Sequence, residues 1–165
     1  MQHETIHSCD LTAQDHAAWR DLCDRDAAYG SPLLGPDFAV RIGRFRTDAL
    51  VTIWRDADAN GVWRPLAFLP HHRRLGALAF PIGAPLSDYH GPVTVAGFDL
   101  AEALQMAGLS AYRFTSQPLR SSRQPATGPS GEGFLIELDG TPEAYLEALR
   151  ERRPKSFKNY RRLGH

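Results

Sequence analysis

The sequence predicts a single mixed α/β domain of the α+β type, built as a mixed sheet flanked by helices. Stretches with helical spacing of apolar residues alternate with short strand-like runs, and an Asn-Gly turn joins two of those runs. Hairpins mixed with helices favour this class. The 165 residues are 42% hydrophobic and 23% charged, which suits one folded domain with its own core.

Two helices are predicted first. Thr12 with Asp15 three residues later resembles a capping box, so a helix is expected over residues 12–29. Pro36 occupies the favoured first position of a shorter second helix. Apolar side chains at helical spacing support both helices: Ala18, Trp19, Leu22 and Cys23 in the first, and Phe38, Ile42 and Phe45 in the second.

A β-hairpin follows the helices. Residues 49–55 read as a strand, Asn60-Gly61 marks the turn, and residues 62–69 return as an antiparallel partner. Pro65 cannot donate to a sheet ladder, so it is expected at an edge or a bulge. A third short strand is predicted over residues 77–80.

Tryptophans and cysteines are assigned structural roles. Trp19, Trp54 and Trp63 are expected in the core or the hairpin, and the last two, which flank the turn, are expected to meet across the strands. Cys9 and Cys23 belong to no CxxC motif, so both are expected as free thiols without a catalytic role.

The second half of the chain alternates between helices and short strands. Its predicted elements are a helix over 99–107, a strand over 111–115, a surface loop over 117–131, a strand over 133–138, and helices over 141–150 and 156–163. Asp99 and Thr141 are helix-starting residues, Gly108 is a helix end, and Pro154 separates the last two helices.

The charge pattern predicts contact with an anion at the end of the chain. Residues 150–165 hold seven Lys or Arg and one acid, a net charge of +6, whereas residues 1–149 hold twelve basic and eighteen acidic residues, a net charge of −6. Lys155, Lys158 and Arg161 are candidates to bind phosphates of a nucleotide-sugar, lipid-linked or CoA-type ligand. The alternative is a solvated helix face. Nucleic acid is not favoured, because the nearby aromatic residues have the spacing of a packing stripe.

Several classes of protein are disfavoured by what the chain lacks. No apolar run approaches the length of a membrane span, and the N-terminus has no basic segment followed by an apolar one, so a cytoplasmic location is predicted. His71 and His72 point to opposite faces if they lie on a strand, so no metal site is expected.

The loop over residues 81–92 is the main candidate site. Prolines and glycines constrain its backbone, and four adjacent side chains with polar groups lie between them: Ser87, Asp88, Tyr89 and His90. Such a loop suits an acceptor hydroxyl or amine, whose proton His90 would accept. The alternative is that Ser87 and Asp88 cap loop amides while Tyr89 packs.

A second candidate precedes that loop. The run His71-His72-Arg73-Arg74 offers cationic groups to an anionic part of a substrate, and Arg73 is the favoured contact because its planar guanidinium suits phosphate or carboxylate. The alternative is a solvated strand end.

Four segments share one resemblance: residues 31–38 (SPLLGPDF), 68–73 (FLPHHR), 83–91 (GAPLSDYHG) and 155–163 (KSFKNYRRL). With them the chain resembles the N-terminal half of the acetyltransferase family associated with cellulose and exopolysaccharide biosynthesis, in the GNAT superfamily. The resemblance implies two GNAT-like modules in tandem, as in peptidoglycan aminoacyl transferases. The first module helps to form the acceptor site, and the second carries the acyl-CoA site.

This resemblance implies a GNAT-like N-terminal module over residues 1–150 and a basic linker over residues 151–165 that leads to a missing second module. The intact protein would be an acyl-CoA-dependent N- or O-acyltransferase acting on a small-molecule or saccharide acceptor. The chain alone is not expected to bind acetyl-CoA or another acyl-CoA, because its nearest match to the CoA-binding turn, residues 73–78, is expected to enter a strand rather than a helix. The alternatives are a non-catalytic binding module and a basic-tailed adaptor without transferase activity.

Overall fold

The computed structural model describes residues 1–74, 77–85, 87–114, 116–118 and 140–163. These residues form a six-stranded mixed sheet and five α-helices, so the predicted mixed α/β class is confirmed at that level. By its internal contacts the chain divides into two units, which are described separately below.

The first unit, Met1–Pro125, contains the sheet. Its strands are β1 (Gln2–His7), β2 (Ala49–Ala57), β3 (Trp63–Arg74), β4 (Leu78–Pro81), β5 (Val93–Thr94) and β6 (Ala111–Tyr112). Its α-helices are α1 (Ala13–Asp24), α2 (Pro36–Gly43) and α3 (Leu100–Met106). The strand order is β1-β2-β3-β4-β6, and β5 pairs with β3 beside β4. Every pairing is antiparallel except that of β4 with β6, which α3 separates in sequence.

The predicted hairpin between β2 and β3 is confirmed, including its irregularity. Trp54 pairs with Ala67, but the next residue, Arg55, pairs with Pro65, so one residue of β3 is left over at this step. The proline thus lies beside a β-bulge, where its missing amide proton costs least.

Helices cover both faces of this hairpin. Successive side chains on a strand point to opposite sides, so the hairpin supplies residues to a core on each face. On one face the indole of Trp19 from α1 stacks on Phe68, with ring centroids 4.9 Å apart, and its Nε1–H donates to the carbonyl of Leu34 at 2.9 Å. On the other face Trp54 Nε1–H donates to the carbonyl of Ala103 in α3 at 3.1 Å. Buried apolar residues fill the first core (Trp19, Leu22, Tyr29, Leu34, Ala39, Ala49, Val51, Ile53, Phe68, Ile82 and Val93) and the second core (Trp54, Ala67, Leu69, Ala79, Phe98, Ala103 and Leu109).

The helix starts follow the predicted local signals. Thr12 and Asp15 form the capping box at the start of α1, and Pro36 is the first residue of α2. Asp99 caps α3 by accepting from the amide of Glu102 at 3.1 Å. The predicted extent of the first helix is wrong at its end, because α1 stops at Asp24 and a separate 3₁₀ turn follows.

Two other predictions for this unit fail. Trp54 and Trp63 do not meet across the strands, since Trp63 pairs with Ala57 and is 42% exposed while Trp54 is fully buried. Ala57 lies three residues beyond Trp54 on β2, so Trp63 and Trp54 project from opposite faces of the hairpin. Strand β1 is not predicted from the sequence, because QHETIH lacks the alternating apolar residues that indicate a strand. The predicted strand over 133–138 and most of the loop over 117–131 lie outside the described residues.

The second unit, Ala126–His165, contains helices α4 (Pro142–Arg152) and α5 (Pro154–Leu163). Thr141 caps α4 as predicted, since its hydroxyl accepts from the amide of Ala144 at 3.3 Å. The last helix begins two residues before the predicted start, because Pro154 opens α5 rather than only ending α4. The predicted module boundary after residue 150 lies within α4 and stays a prediction.

Gly83 allows a close contact between the loop after β4 and helix α2. Its φ is +73°, and a Cβ there would lie 2.6 Å from Phe38 Cζ. We therefore expect Gly83→Ala to lower the free energy of unfolding by about 3 kcal/mol, the sum of the left-handed backbone cost and overpacking. The measurement is urea denaturation followed by circular dichroism.

Gly61→Ala is the matched control, because Gly61 has a φ of +76° but no atom lies within 4 Å of the place that a Cβ would occupy. It should lose only the backbone part, about 1 kcal/mol. Equal losses for the two variants would show that the contact with Phe38 does not matter.

Candidate functional site

The candidate loop lies between β4 and β5, and the described part of its backbone is held at several points. Ile82–Pro85 form a turn that contains a cis peptide bond between Ala84 and Pro85. His72 on β3 fastens this turn, because its Nε2 accepts from the amide of Gly83 at 3.4 Å. Further along, the amide of His90 donates to the carbonyl of Ser116 at 2.7 Å. The loop is therefore tied to other parts of the first unit near both of its ends.

The structure brings Ser87 and His90 together. Both side chains are buried, and His90 Nε2 lies 2.8 Å from Ser87 Oγ. The Ser87 hydroxyl also lies 3.2 Å from the carbonyl of Ile82, which can only accept. If the Ser87 hydroxyl donates to the Ile82 carbonyl, its oxygen accepts from Nε2–H of His90. If the hydroxyl donates to the ring instead, the unprotonated Nε2 of His90 accepts. Ser87 thus orients the imidazole in either tautomer.

Burial lowers the pKa of the His90 imidazole, and the backbone of Ser87 and the carboxylate of Asp88 oppose that shift only in part. The ring is therefore neutral at neutral pH. A neutral imidazole is the form that accepts a proton from an entering group.

Asp88 and Tyr89 differ from that pair in their surroundings. The side chain of Asp88 is exposed, whereas Tyr89 is half-buried and packs against the first core. Of the three adjacent groups, Tyr89 and His90 line one cavity and Asp88 does not, and their contact with a ligand stays a prediction. Tyr89 behaves as the alternative interpretation expected, while Ser87 contacts a carbonyl and an imidazole rather than a loop amide.

A small cavity, called here the His90 cavity, lies beside the imidazole. Its volume is about 10 Å³, which is about the space that one water molecule needs. Its lining is apolar except at two tyrosines, the histidine and the backbone: Leu33, Leu34, Pro70, Pro81, Ile82, Tyr89, His90, Gly91 and Tyr112. A single hydroxyl or amino group fits this space, whereas a whole sugar ring does not.

Tyr112 of β6 is a cavity residue that the sequence did not reveal. Its hydroxyl oxygen is buried and has no hydrogen-bond partner among the described residues. Burial raises the pKa of this phenol well above its ordinary range, and the nearby Gly91 backbone offsets that only in part. The Gly91 backbone is thus the polar group that acts on this hydroxyl, and so little hydrogen bonding to a buried hydroxyl is costly.

The two histidines before the loop serve the sheet. His71 is fully buried, with Nε2 2.9 Å from the hydroxyl of Thr52, while its Nδ1 has no partner among the described residues. His72 Nδ1 lies 3.2 Å from the carbonyl of Asp48, so that imidazole joins the loop before β2 to the candidate loop. The alternative of a solvated strand end is therefore wrong for both histidines.

The arginines that follow are exposed. Arg73 pairs in register with Ala79 of β4, which pairs with Tyr112 of β6, so Arg73 lies on the same face of the sheet as that tyrosine. The guanidinium of Arg74 lies 5.6 Å from the centre of the Phe80 ring, within the range of a cation–π contact. Anion binding by Arg73 stays a prediction.

The predicted anion-binding residues of the second unit lie on α5. The side chains of Lys155 and Lys158 are exposed, and Phe157 between them is half-buried. Arg161 also belongs to α5, but its side chain lies outside the described part of the structure. A role for these residues in binding phosphate stays a prediction.

Other kinds of site find little support in the described part of the chain. No three His, Cys, Asp or Glu side chains converge there in a way that would hold a metal ion. Both cysteines are free, and burial raises the pKa of the Cys23 thiol to about 11, so that thiol is protonated at neutral pH. None of the described helices combines the length and the apolar character of a bilayer span.

Comparisons with known proteins leave the chemistry of this site to be argued from its own residues. No protein-family model matches the chain, and no curated protein or solved structure is significantly similar to it. The resemblance to acetyltransferases of polysaccharide biosynthesis is thus neither supported nor contradicted, and it enters below as part of a proposal.

His71 makes stability depend on pH. Burial lowers its pKa from an ordinary 6.5 to about 4, so between these values the unfolded chain binds a proton that the folded chain does not. Stability should fall by about 3 kcal/mol as the pH drops through this window, with His90 contributing in the same direction. Urea denaturation at several pH values measures the slope.

His71→Gln keeps a polar contact for Thr52 but removes the titrating group. It should be less stable at pH 7 and show a shallower decline between about pH 6.5 and pH 4 than the wild type. An unchanged slope would show that His71 is not the group responsible.

Proposed function

We propose that this chain is the acceptor-side, N-terminal half of an acyl-CoA-dependent N- or O-acyltransferase of the cytoplasm, acting on a saccharide or an envelope precursor. One observation carries the proposal: the buried His90, whose imidazole Ser87 orients, lines a cavity sized for one hydroxyl or amino group, and Tyr89 and Tyr112 line the same cavity. The four segments that resemble the GNAT-superfamily family supply the reaction class.

The residues of the His90 cavity would prepare the acceptor for attack. An entering hydroxyl or amine would lie between His90, Tyr89 and Tyr112 and give its proton to the unprotonated ring nitrogen of His90. General-base help of this kind contributes about 10²–10⁴-fold in rate. Ser87 holds the imidazole in place through its 2.8 Å contact.

The size of the cavity limits how the acceptor binds. With about 10 Å³ available, only the reacting group enters, and the rest of the acceptor stays at the surface. The reacting group must therefore project from its ring, as a primary hydroxyl or an amino substituent does. Asp88, which is exposed, is left to contact the remainder of the acceptor.

The described residues do not fit the acyl-CoA itself. The nearest candidate turn begins at Arg73 and leads into strand β4, which starts at Leu78, instead of opening a helix. A helix N-terminus with free amides is what would favour the pyrophosphate. We therefore assign this chain the acceptor alone and derive no step through the acyl donor.

A second candidate is a basic-tailed adaptor without transferase activity. It is favoured by the exposed cationic side chains of α4 and α5 in the second unit: Arg150, Arg152, Lys155, Lys158 and Arg162. An adaptor of this kind would bind a polyanion such as heparin with strong salt dependence, and deletion of residues 150–165 would abolish that binding.

The acyltransferase proposal is tested with His90→Gln. The assay uses the protein encoded by the full reading frame, including any module after residue 165. It measures thiol release from acetyl-CoA with glucosamine or cello-oligosaccharides as acceptors. Gln keeps a polar contact for Ser87 but cannot accept a proton, so we expect kcat to fall about 10²-fold or more. The limb of the pH–rate profile that reports the base should disappear as well.

Asp88→Asn is the matched control, because it changes the exposed neighbour that does not line the cavity. It should leave kcat within about threefold of the wild type and act, if at all, on KM. Wild-type kcat in His90→Gln would exclude the proposed base. Tight binding of acetyl-CoA by residues 1–165 alone, measured by calorimetry, would overturn the assignment of this chain to the acceptor only.

A further inference from the structure

A second concave site lies at the other end of the hairpin, away from the candidate loop. This Trp63 groove is lined by Gln2, His3, Glu4, Arg55 and Trp63 and has a volume of about 150 Å³. A cavity of about this size accommodates one six-membered ring. All five residues belong to β1, β2 or β3 in the first unit.

Trp63 is the exposed tryptophan of the hairpin. Trp19 and Trp54 are fully buried, whereas Trp63 stands at the start of β3 with 42% of its surface exposed. The partner of Trp63 is Ala57, at the very end of β2, whose small side chain leaves room around the indole. The indole therefore offers an apolar face to a molecule that enters the groove.

The pairing of β1 with β2 determines which polar side chains form one wall of the groove. Gln2 pairs with Arg55 and Glu4 pairs with Ile53, so Gln2, Glu4 and Arg55 project from one face of the sheet. Their side chains together offer an amide, a carboxylate and a guanidinium, which can donate and accept hydrogen bonds.

The charges on this wall are already paired. Arg55 forms ion pairs with Glu4 and with Asp15 of α1, the latter at 2.6 Å. A ligand with a strong charge would have to break one of these pairs. A neutral ligand needs only to exchange hydrogen bonds with groups that stay in place.

From these observations we propose that the Trp63 groove binds a neutral saccharide ring. A pyranose has an apolar C–H face that packs on an indole, and its hydroxyls both donate and accept, as the groove wall requires. The groove holds one such unit, so further units of an oligosaccharide extend along the sheet edge. The inference does not depend on the acyltransferase proposal, because a non-catalytic module would have the same groove.

The test is a fluorescence titration of the whole chain with cellotetraose. Of the three tryptophans only Trp63 is exposed, so emission and iodide quenching report directly on this site. We expect a blue shift and reduced quenching that saturate with a Kd of about 1 mM, a typical strength for one ring contact with a few hydrogen bonds.

Three variants locate the response. Trp63→Ala should abolish binding as measured by calorimetry, whereas Trp63→Phe should retain it within about fivefold because it keeps an aromatic face. Phe45→Ala removes an aromatic residue that is 87% exposed elsewhere and should change nothing. Circular dichroism confirms that each variant is folded.

Competing ligand classes are separated with choline and adenosine. A quaternary ammonium would use the indole and the negative charge of Glu4 together, so added NaCl should weaken choline binding but leave cellotetraose binding nearly unchanged. Tighter binding of choline or adenosine than of the saccharide would overturn the proposal. So would a lack of any saccharide response up to about 50 mM, or an unchanged response in Trp63→Ala.

Discussion

The structure depends on burying β2 and β3 on both faces. On one side Trp19 of α1 stacks on Phe68 of β3, and on the other Trp54 of β2 donates to the carbonyl of Ala103 in α3, so a helical layer contacts each side of the same hairpin. Because a strand that is covered twice has no solvent face, polar side chains within it must find partners inside the protein. Thr52 and His71 bond each other across the two strands, although Nδ1 of His71 has no partner among the described residues. Both sites described above lie where this double cover ends.

The two ends of the hairpin present different chemistry for that reason. At the end near β4, the imidazole of His90 is enclosed, so burial lowers its pKa, and the space beside it is that of one small group. At the other end, the cover stops earlier and leaves an indole beside hydrogen-bonding side chains in a wider groove. One end therefore suits a reacting group, and the other suits the body of a neutral ring.

Local signals in the sequence are sufficient for many elements of the fold. The Thr12–Asp15 capping box, the proline that starts α2, and the bulge beside Pro65 each depend on residues a few positions apart, and each is confirmed. Strand β1 is not predictable in this way, because pairing with β2 stabilises it while its own residues carry no apolar alternation.

The sequence predicts where along the chain the candidate site lies, but not how its side chains are arranged in space. The sequence singles out the residues between Ser87 and His90, yet their division into a buried pair, a packed tyrosine and an exposed acid depends on tertiary contacts. Tyr112 gives no such signal, since it reaches the cavity only through the parallel pairing of β6 with β4. The burial of His71 and His72 likewise depends on Thr52 and Asp48, about twenty residues earlier in the chain.

The carboxylate of Asp15 has a consequence for how α1 is oriented. One of its oxygens accepts from the amide and hydroxyl of Thr12, at 3.1 and 2.6 Å, and the other accepts from Arg55 of β2. Burial opposes ionisation here, but the bonds from Thr12 and Arg55 outweigh it and lower the pKa of Asp15. The helix therefore cannot roll about its long axis without breaking an ion pair to the sheet. This restraint acts about one turn before Trp19, whose ring lies nearly parallel to that of Phe68 and is also held by its hydrogen bond to Leu34.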